Sequence, residues 1–366
     1  MAGTLRIPVE KITARVFCQA PSSSSTVGGN PVTIFSSQQA LSPPTKQRLA
    51  QTCQWESVVV DQQDSTLSFY MPTGEPVSFC AHAAMGGSME LSSHTLESAR
   101  KEKDVKVKFQ TTMETIGSQE STVDETIHTA ILHPDDIVSL EMNCHFQQGR
   151  LSHPPTLVRV LREALKLSTH DLIQPPHMWW SSLPANINAS VARPKTLVYV
   201  NTLEALHAAV PPPVTNNHFQ KACDALDAST GIYLYSPRPP NDDPQEVSGM
   251  VTSWECRQFP RASGYPEDPA TGIAAAALAV SLHKERLLTN PQDVRLASYA
   301  YRCYQGTAMN RPSLILVDNI RFLNNTTALT QERNEGQDEK VSFRLMGRIE
   351  VDERETVEVD NESSSQ

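Results

Sequence analysis

The amino-acid sequence predicts an α+β fold with a mostly antiparallel sheet and two domains. With 366 residues, the chain is about two and a half times as long as a typical ~150-residue domain, so two hydrophobic cores are expected. Short β-type runs outnumber long helical patterns, and the two kinds of element do not alternate regularly, which disfavours a parallel Rossmann sheet. Hydrophobic residues make up 39% of the chain, which is enough apolar material for packed cores.

The first domain is expected to span residues 1–135 and to contain two helices among short strands. One helix begins after Ser42, because Ser is a favoured N-cap and the two prolines that follow fit a first helical turn; it should end near Gln54. Residues 79–89 are rich in Ala, Gly and Met and predict a helix buried on all sides. The polar stretch 92–104 predicts a loop. Apolar runs predict strands at 5–18, 31–35, 58–60, 67–71, 105–109 and 127–132.

The second domain is expected to span residues 136–340, after a turn rich in Pro and Asp. Its predicted helices cover 156–167, 203–209 and 268–283, the last being the longest. Its predicted strands cover 197–200, 231–235, 251–259 and 313–317. A late strand within about 341–353 is expected to return to the first domain. The tail 354–366 is charged and Ser-rich, which predicts disorder.

Charge and hydropathy narrow the range of partners. The chain has 31 Lys and Arg against 41 Asp and Glu, a net charge of −10, and no basic block interleaved with aromatic residues, so nucleic acid and anionic membranes are poor partners. No apolar run approaches the ~18 residues of a membrane span, and the start of the chain shows no basic-plus-apolar leader. We therefore expect a cytoplasmic protein that acts on a small molecule.

Cysteine spacing and motif searches exclude several kinds of chemistry. The seven cysteines are odd in number and form no C-x-x-C pair, so we expect reduced thiols rather than a disulfide framework or a zinc ribbon. The sequence also lacks G-x-G-x-x-G, a Walker loop, H-E-x-x-H and G-x-S-x-G. Any reaction is therefore expected to be carried out by side chains.

Two segments of small residues share one layout, with a polar side chain four positions before a glycine. The first runs from His82 to Gly86 and the second from Asp268 to Gly272. If each begins a buried helix, the free N–H groups and the partial positive charge at the two N-termini would hold a carboxylate between them. Taken singly, Asp268 also fits an ordinary helix N-cap before proline, and His82 a hydrogen-bonded core histidine.

Glu56 is the third unusual residue, because it stands between Trp55 and the apolar strand 57–60. Poor solvation beside an indole raises the pKa of a carboxyl group towards neutrality, which suits a general acid or base at pH 7. The alternative is a solvated glutamate at a sheet edge.

Together these residues resemble the PhzF-like phenazine-biosynthesis family over about residues 5–350. The order and spacing of short motifs carry the resemblance, and the run E-D-P-A-T-G at 267–272 is the most specific. The motifs are Gly29-Asn30-Pro31, Glu56, Pro72-Thr73-Gly74-Glu75, the His82 segment, Arg257-Gln258-Phe259, the 267–272 run, Gln305-Gly306 and Met309-Asn310-Arg311-Pro312-Ser313. The resemblance implies the diaminopimelate-epimerase fold, in which two similar domains each wrap a sheet around a central helix and the active site lies between them.

The resemblance also implies a cofactor-independent isomerase that moves a proton on a small carboxylate or conjugated carbonyl compound. Glu56 would shuttle the proton, while His82 and Asp268 would bind and polarise the substrate. No metal or organic cofactor would be needed, and the chain would form a homodimer with a complete site in each subunit. The residues expected to bind the substrate are Asn30, Gly86, Gly87, Thr271, Gly272 and Ile273.

The sequence departs from the family pattern at both predicted helix mouths. Ala81-His82-Ala83-Ala84 stands where the family usually has Gly-His-Pro-Thr, and Ile273 stands where it usually has Ser. Both changes make the pocket more apolar, so the substrate of the phenazine pathway does not follow from the resemblance. The lost hydroxyl groups also leave open a binding protein that has kept the fold without catalysis.

A two-cysteine epimerase or racemase is a further alternative on the same fold. Such an enzyme places one cysteine at each helix mouth, where this chain has His82 and Asp268. Cys80 comes two positions earlier and is expected to point elsewhere, and Cys256 comes well before Asp268. The sequence therefore disfavours this mechanism.

Overall fold

In the computed structural model, the described residues are 5–19, 27–96, 104–114, 121–151, 153–174, 186–239, 251–289, 299–323 and 338–361. The Ser- and Gly-rich stretch 22–29 predicts a loop, of which residues 22–26 lie outside them, as do residues 362–366 at the end of the predicted tail. The chain divides into two compact units. Unit 1 comprises Met1–Ser23, Gly29–Glu141 and Met346–Gln366, and unit 2 comprises Ser24–Gly28 and Met142–Leu345. The sequence placed these divisions at 135/136 and 340/341.

Among the described residues, unit 1 holds two α-helices, seven complete strands and parts of two more. Its elements are β1 (Leu5–Cys18), β2 (Asn30–Ser37), α1 (Pro43–Gln51), β3 (Ser57–Asp61), β4 (Thr66–Tyr70), β5 (Pro76–Val77), α2 (Ala81–Leu96), β6 (Val105–Glu114) and β7 (Ser121–Leu132). The next strand, β8 (Ile137–Arg150), starts in unit 1 and continues into unit 2.

Unit 2 holds the remaining helices. Its elements are α3 (Pro154–Glu163), β9 (Asn186–Ser190), β10 (Lys195–Tyr199), α4 (Leu203–Ala208), α5 (Asn217–Ala225), β11 (Gly231–Pro237), β12 (Val251–Pro260), α6 (Gly272–Thr289), β13 (Ala300–Gln305) and β14 (Ser313–Phe322). The last strand, β15 (Glu339–Asn361), starts in unit 2 and continues into unit 1. Among the described residues, we find no helix with the length and apolar character needed to cross a membrane.

The two units repeat one order of strand pairing. In unit 1, β1–β2 is antiparallel, β2–β3 parallel, β3–β4 antiparallel, β4–β6 parallel and β6–β7 antiparallel. In unit 2, β9–β10, β10–β11, β11–β12, β12–β13 and β13–β14 follow the same alternation. In each unit the long helix lies in the sequence between the two strands of the second parallel pair: α2 between β4 and β6, and α6 between β12 and β13. The predicted α+β fold of two similar domains is therefore confirmed, with a mixed sheet in each.

The two long helices are the centres of the units. α2 packs against β1, β2, β3, β4, β6 and β7 of unit 1, and α6 packs against β9, β10 and β14 of unit 2. Small residues allow the close approach: a Cβ built on Gly86 would lie 3.1 Å from Ile34 Cδ1, and one on Gly87 would lie 3.0 Å from Leu67 Cδ2. The predicted burial of both helices is confirmed.

The ends of these helices differ from the sequence expectation. α2 continues to Leu96, so the loop predicted from residue 92 is wrong at its start. The hydroxyl groups of Ser92 and Ser93 donate to the carbonyl oxygens of Met89 and Glu90, so these polar residues bond back to the helix instead of ending it.

The C-terminal strand corrects the expectation of a disordered tail. β15 pairs with β1 in antiparallel register up to Asn361. The strands are joined by ion pairs, such as Lys11 Nζ to Glu355 Oε1 at 2.7 Å. On the same face of β15, further along the strand, Val357 and Val359 pack against the cluster of buried residues around α1. The tail is rich in charge, but Val357 and Val359 alternate with polar residues as in a strand. They become partly buried only when the tail pairs with β1.

This strand also neutralises a charge inside unit 1. The Glu90 side chain in α2 is fully buried, and Arg354 Nη1 donates to its Oε2 at 3.0 Å. Arg354 also lies 3.7 Å from Glu10 Oε2 and keeps 44% of its side chain exposed. A buried carboxylate needs such a partner, so Arg354 links the end of the chain to the central helix.

Replacing this arginine should destabilise unit 1. We expect Arg354→Met to lower the free energy of unfolding by about 2 kcal/mol, below the 3–5 kcal/mol of fully buried pairs because solvent screens the exposed guanidinium. Glu358→Gln, a charge change on the same strand, serves as the control and should shift stability by less than about 0.5 kcal/mol. Equal unfolding midpoints in urea for the two variants would contradict the role given to Arg354.

A buried histidine in α6 makes stability depend on pH. His283 is buried with its Nδ1 3.3 Å from the Tyr301 hydroxyl, and burial, aided by the charge of Arg286, lowers its pKa to about 4. Below pH 6.5 the unfolded chain binds a proton here that the folded chain does not bind. Stability should therefore be lost as pH falls from about 6.5 to 4, by about 3 kcal/mol in total. Urea unfolding of wild type and His283→Gln at pH 7.5 and 4.5 checks this: the loss on acidification should be smaller in the variant.

Candidate active site

Glu56 lies in the short segment between α1 and β3, and only 8% of the residue is exposed. Its carbonyl oxygen accepts a hydrogen bond from Thr33 N of β2 at 3.3 Å. The next residue, Ser57, pairs with Thr33 on one side and with Tyr70 of β4 on the other. Strand pairing on both sides therefore fixes the backbone that carries this carboxyl group. The burial agrees with the sequence expectation, whereas the proton-shuttle role stays a prediction.

His82 is the second residue of α2 and lies beside a cysteine that the sequence analysis set aside. The carbonyl oxygen of Cys80 accepts from Ala84 N at 2.8 Å, so Cys80 caps the helix. Its Sγ lies 3.3 Å from His82 Nδ1 and 3.9 Å from His82 Nε2, and both residues are buried. The expectation that Cys80 points elsewhere is wrong, because a capping residue and the second helical residue share one end of the helix. The spacing Cys-x-His before an Ala-rich helix was the available signal.

The other predicted binding residues of unit 1 lie at different places. Asn30 is the buried first residue of β2, where it pairs with Val16 of β1. Gly86 and Gly87 belong to the helix–sheet contact described above, with strand side chains where their own side chains would be. We assign these two glycines to packing and propose no substrate contact for them.

In unit 2, Asp268 lies four residues before α6 and does not cap it. The helix is opened by Thr271, whose carbonyl oxygen accepts from the N–H groups of Ala274 and Ala275. Asp268 Oδ1 accepts from Ala270 N at 3.2 Å, and its Oδ2 accepts from the Thr271 hydroxyl at 2.6 Å. The predicted helix start at Asp268 and its N-cap alternative are therefore wrong. The residue forms instead a tight turn in which its carboxylate faces the first turn of the helix.

Gln305, the last residue of β13, holds this turn from the side. Its buried Nε2 donates to the Asp268 carbonyl oxygen at 2.6 Å and to the Thr271 hydroxyl at 3.2 Å, and its Oε1 accepts from Thr271 N at 3.1 Å. Gly306 follows with φ of 79°, and a Cβ on it would lie 2.9 Å from the Pro269 carbonyl oxygen. The end of β13 thus fits the turn closely enough to require glycine at 306.

A buried ion pair fixes the residue before Asp268. Arg257 Nε and Nη2 donate to the two carboxylate oxygens of Glu267 at 2.8 and 2.7 Å. Its Nη1 donates to the carbonyl oxygens of Leu206, His207 and Ala209 at the end of α4. Both partners of the pair are buried, and this many hydrogen bonds offset the cost of desolvating the charges. The turn at Asp268 is therefore anchored at its start as well as at its side.

Both central helices present N-termini suited to a negative charge. α2 and α6 are 16 and 18 residues long, and their first turns, 81–84 and 272–275, are built from uncharged small or apolar residues apart from His82. Neither first turn contains an acidic residue, and the Asp268 carboxylate described above faces the partial positive charge at the α6 end. Gly272 and Ile273, two of the predicted binding residues, are the first two residues of α6 and are buried.

The cysteines form no disulfides, and most of them are buried. All seven lie in described segments; Cys53 and Cys144 are half-buried, and the other five are buried. Burial raises the pKa of Cys256 well above its usual range, with Cys303 beside it adding to the shift, so Cys256 stays protonated. Burial likewise raises the pKa of Cys223 to about 12. Within the described segments, no three His, Cys, Asp or Glu residues are grouped so as to hold a metal ion.

Removing the Gln305 clamp should loosen the turn at Asp268. We expect Gln305→Met to lower the free energy of unfolding by about 3 kcal/mol, because three hydrogen bonds are lost and their buried partners are left unpaired. Amide hydrogen exchange at Thr271 should accelerate in the same variant. Gln220→Met, which removes one long hydrogen bond from a half-buried glutamine, is the control and should change stability by less than about 0.5 kcal/mol. Unchanged exchange at Thr271 would show that the turn holds without Gln305.

Comparisons with known proteins bear on the fold. No family model and no curated protein sequence matches the chain. Among solved structures, a PhzF-family phenazine biosynthesis protein from Bacillus anthracis superposes with a TM-score of 0.63 at 15% identity, covering 96% of this chain and 99% of its own. A protein from Pseudomonas aeruginosa named a predicted epimerase gives 0.60 at 20% identity, covering 95% and 98%. A PhzF-family protein from Enterococcus faecalis gives 0.57 at 12%, covering 96% and 99%. The chain therefore has the fold of PhzF-family proteins, as the resemblance of its motifs implied.

Proposed function

We propose that the chain is an isomerase that moves a proton on a small metabolite bearing a carboxylate or a conjugated carbonyl group. The observation that carries this proposal is the buried carboxyl group of Glu56, which strand pairing holds in place in the unit that also contains the buried His82. The central helix whose mouth carries His82 packs against β2 and β3, the strands next to Glu56. A fixed and poorly solvated carboxyl group is the kind of group that exchanges a proton with carbon.

In the proposed reaction, Glu56 removes a proton from a carbon next to the acid or carbonyl group. The electron pair left behind is delocalised into that group, and Glu56 returns the proton to the same or another carbon. The double bond is then moved or the centre is inverted, and no cofactor is consumed. One positioned general base contributes about 10²- to 10⁴-fold to the rate, and substrate orientation and helix-end electrostatics supply the rest.

The helix mouth of each unit offers groups that would bind a substrate. In unit 1, His82 at the start of α2 would polarise it. In unit 2, the binding groups would be Asp268 and the first turn of α6, with Thr271, Gly272 and Ile273. The hydrogen bonds that Asp268 accepts from Ala270 N and from the Thr271 hydroxyl fix the orientation of its carboxylate at the start of α6. The apolar Ile273 at the second position of α6 favours a substrate with an apolar part next to its acid group.

The two-cysteine mechanism has one new observation in its favour and one against it. Cys80 lies beside His82 at the mouth of α2, where such a mechanism needs a thiol. The second thiol is missing, because Cys256 is fully buried and held protonated. A binding protein without catalysis remains the other alternative, and homodimerisation and a cytoplasmic location stay predictions.

Replacing Glu56 is the sharpest test of the isomerase proposal. In D₂O containing a metabolite extract, the wild-type protein should add deuterium to at least one metabolite, detected by mass spectrometry. We expect Glu56→Gln to slow this exchange by about 10²- to 10⁴-fold, because the amide cannot accept the proton. Glu56→Asp, which keeps the carboxyl group but moves it, should give an intermediate rate.

Glu75→Gln is the matched control, because it makes the same chemical change at an exposed turn of the same unit. It should leave the exchange rate unchanged. Exchange at the wild-type rate in Glu56→Gln would exclude the proton-shuttle role. Absence of exchange for the wild-type protein across extracts, together with ligand binding, would favour the binding protein.

A further inference from the structure

One buried amide of unit 2 is left without hydrogen bonds. Gln258 in β12 is 1% exposed, and within the part of the chain that the structure describes neither its Nε2 nor its Oε1 has a hydrogen-bond partner. Folded proteins rarely leave a buried donor and acceptor unpaired, because each unpaired group costs free energy. Such a group therefore points to a partner that is not part of the chain.

The orphaned amide lies next to the turn that carries Asp268. The Gln258 carbonyl oxygen accepts from Asp268 N at 3.0 Å, so the two residues are joined through their backbones. The side-chain amide occupies the space over Gly231, where a Cβ would lie 2.3 Å from its Nε2. Gly231 has φ of 152°, so both the conformation and the space there favour glycine.

Strand alternation shows which face the amide is on. Gln258 pairs with Tyr233 of β11, and paired residues of an antiparallel pair share a face. Asp268 pairs with Gln258 in an isolated antiparallel bridge, so the two side chains lie on the same side. The next residue, Phe259, points the other way, into the cluster with α3, α4 and α5. Gln258 thus shares a face with Asp268 rather than with that cluster.

Gln305 shows that the fold can satisfy a glutamine in this neighbourhood. Its amide lies against the same Asp268 turn, is equally buried, and makes three hydrogen bonds. The unpaired state of Gln258 is therefore a property of its position. Atoms buried to this degree have no contact with bulk solvent, so their partner is enclosed with them, either as a buried water molecule or as a bound ligand.

We propose that Gln258 binds the substrate and sets its class. Its NH₂ group donates to a carboxylate or carbonyl oxygen of the ligand, and its Oε1 accepts from a neighbouring donor. A ligand that offers both on adjacent atoms is a small acid with a hydroxyl or amino group next to the carboxylate. This assignment rests on the proposed function in placing the substrate at the Asp268 turn.

Ligand-induced stabilisation tests the proposal without using proton transfer. The probes are lactate and alanine, which offer the acceptor and the neighbouring donor, and propionate, which offers the acceptor alone. In the full chain, lactate or alanine should raise the melting temperature of the wild-type protein more than propionate does at equal concentration. In Gln258→Met, which has nearly the same shape and no amide, this difference should disappear. The ligand-free variant should melt about 2 to 6 °C higher than wild type, because the orphaned amide is gone.

A second variant separates binding from packing. Gln258→Glu keeps the shape and the acceptor but places a negative charge against the ligand's carboxylate, so the preference for lactate or alanine should be lost there too. Where exchange activity is found, both variants should raise KM by about 10- to 100-fold and change kcat less.

Three results would overturn the assignment. They are an unchanged probe preference in Gln258→Met, no stabilisation of wild type by lactate or alanine beyond propionate, and a crystal structure with a water molecule only at the amide. None of these depends on whether Glu56 transfers a proton. The proposed function and this inference therefore fail on different measurements.

Discussion

Burial of a helix on every side is the constraint from which the rest of this structure follows. α2 and α6 each lie within a mixed sheet, and small residues such as Gly86 allow the strands to approach them closely. Beyond the first turn, each backbone N–H of a helix is bonded within the helix, so only the N-terminal end offers N–H groups to a ligand. Polar chemistry is thereby confined to the first turn of each helix and the short segment before it: His82 is in the first turn of α2, and Asp268 lies in the segment that leads into α6.

The two mouths satisfy their polar groups in different ways. At α2, a thiol and an imidazole lie side by side, and both are soft, titratable groups. At α6, the Asp268 turn is held by the Gln305 amide and by the Arg257–Glu267 pair, each with several hydrogen bonds. Such a network fixes one geometry because any displacement leaves a buried polar group unpaired. The α6 mouth therefore holds its polar side chains in one arrangement, whereas at the α2 mouth the Cys80 thiol and the His82 ring lie against each other.

How far the sequence predicts this molecule depends on whether a feature is local. The Ala- and Gly-rich composition of α2 and α6 is local, and it predicts helices that are buried on all faces. The position of Glu56 between Trp55 and the apolar strand 57–60 is also local, and it predicts a poorly solvated carboxyl group. The sequence predicts a helix start at Asp268 where the structure has a turn, because an N-cap and an Asx turn use the same residues before proline. The partners of Glu90 and Asp268, namely Arg354 and Gln305, lie far along the chain, so no local pattern reveals them. For residues 354–361 the sequence predicts disorder, because the charged composition hides the face that is buried. That face is defined only by the pairing of this strand with β1.

The pairing of the first strand with the last has a consequence for how the chain is made. β1 bonds to β15, so unit 1 contains both ends of the described chain, whereas the main part of unit 2 is one continuous stretch from Met142 to Leu345. During synthesis, β1 leaves the ribosome long before β15, and the edge of β1 that pairs with β15 stays uncovered until then. Unit 2 can complete its internal pairings before this long-range closure. A chain that ended before Glu339 would then hold a formed unit 2 and an open edge on β1.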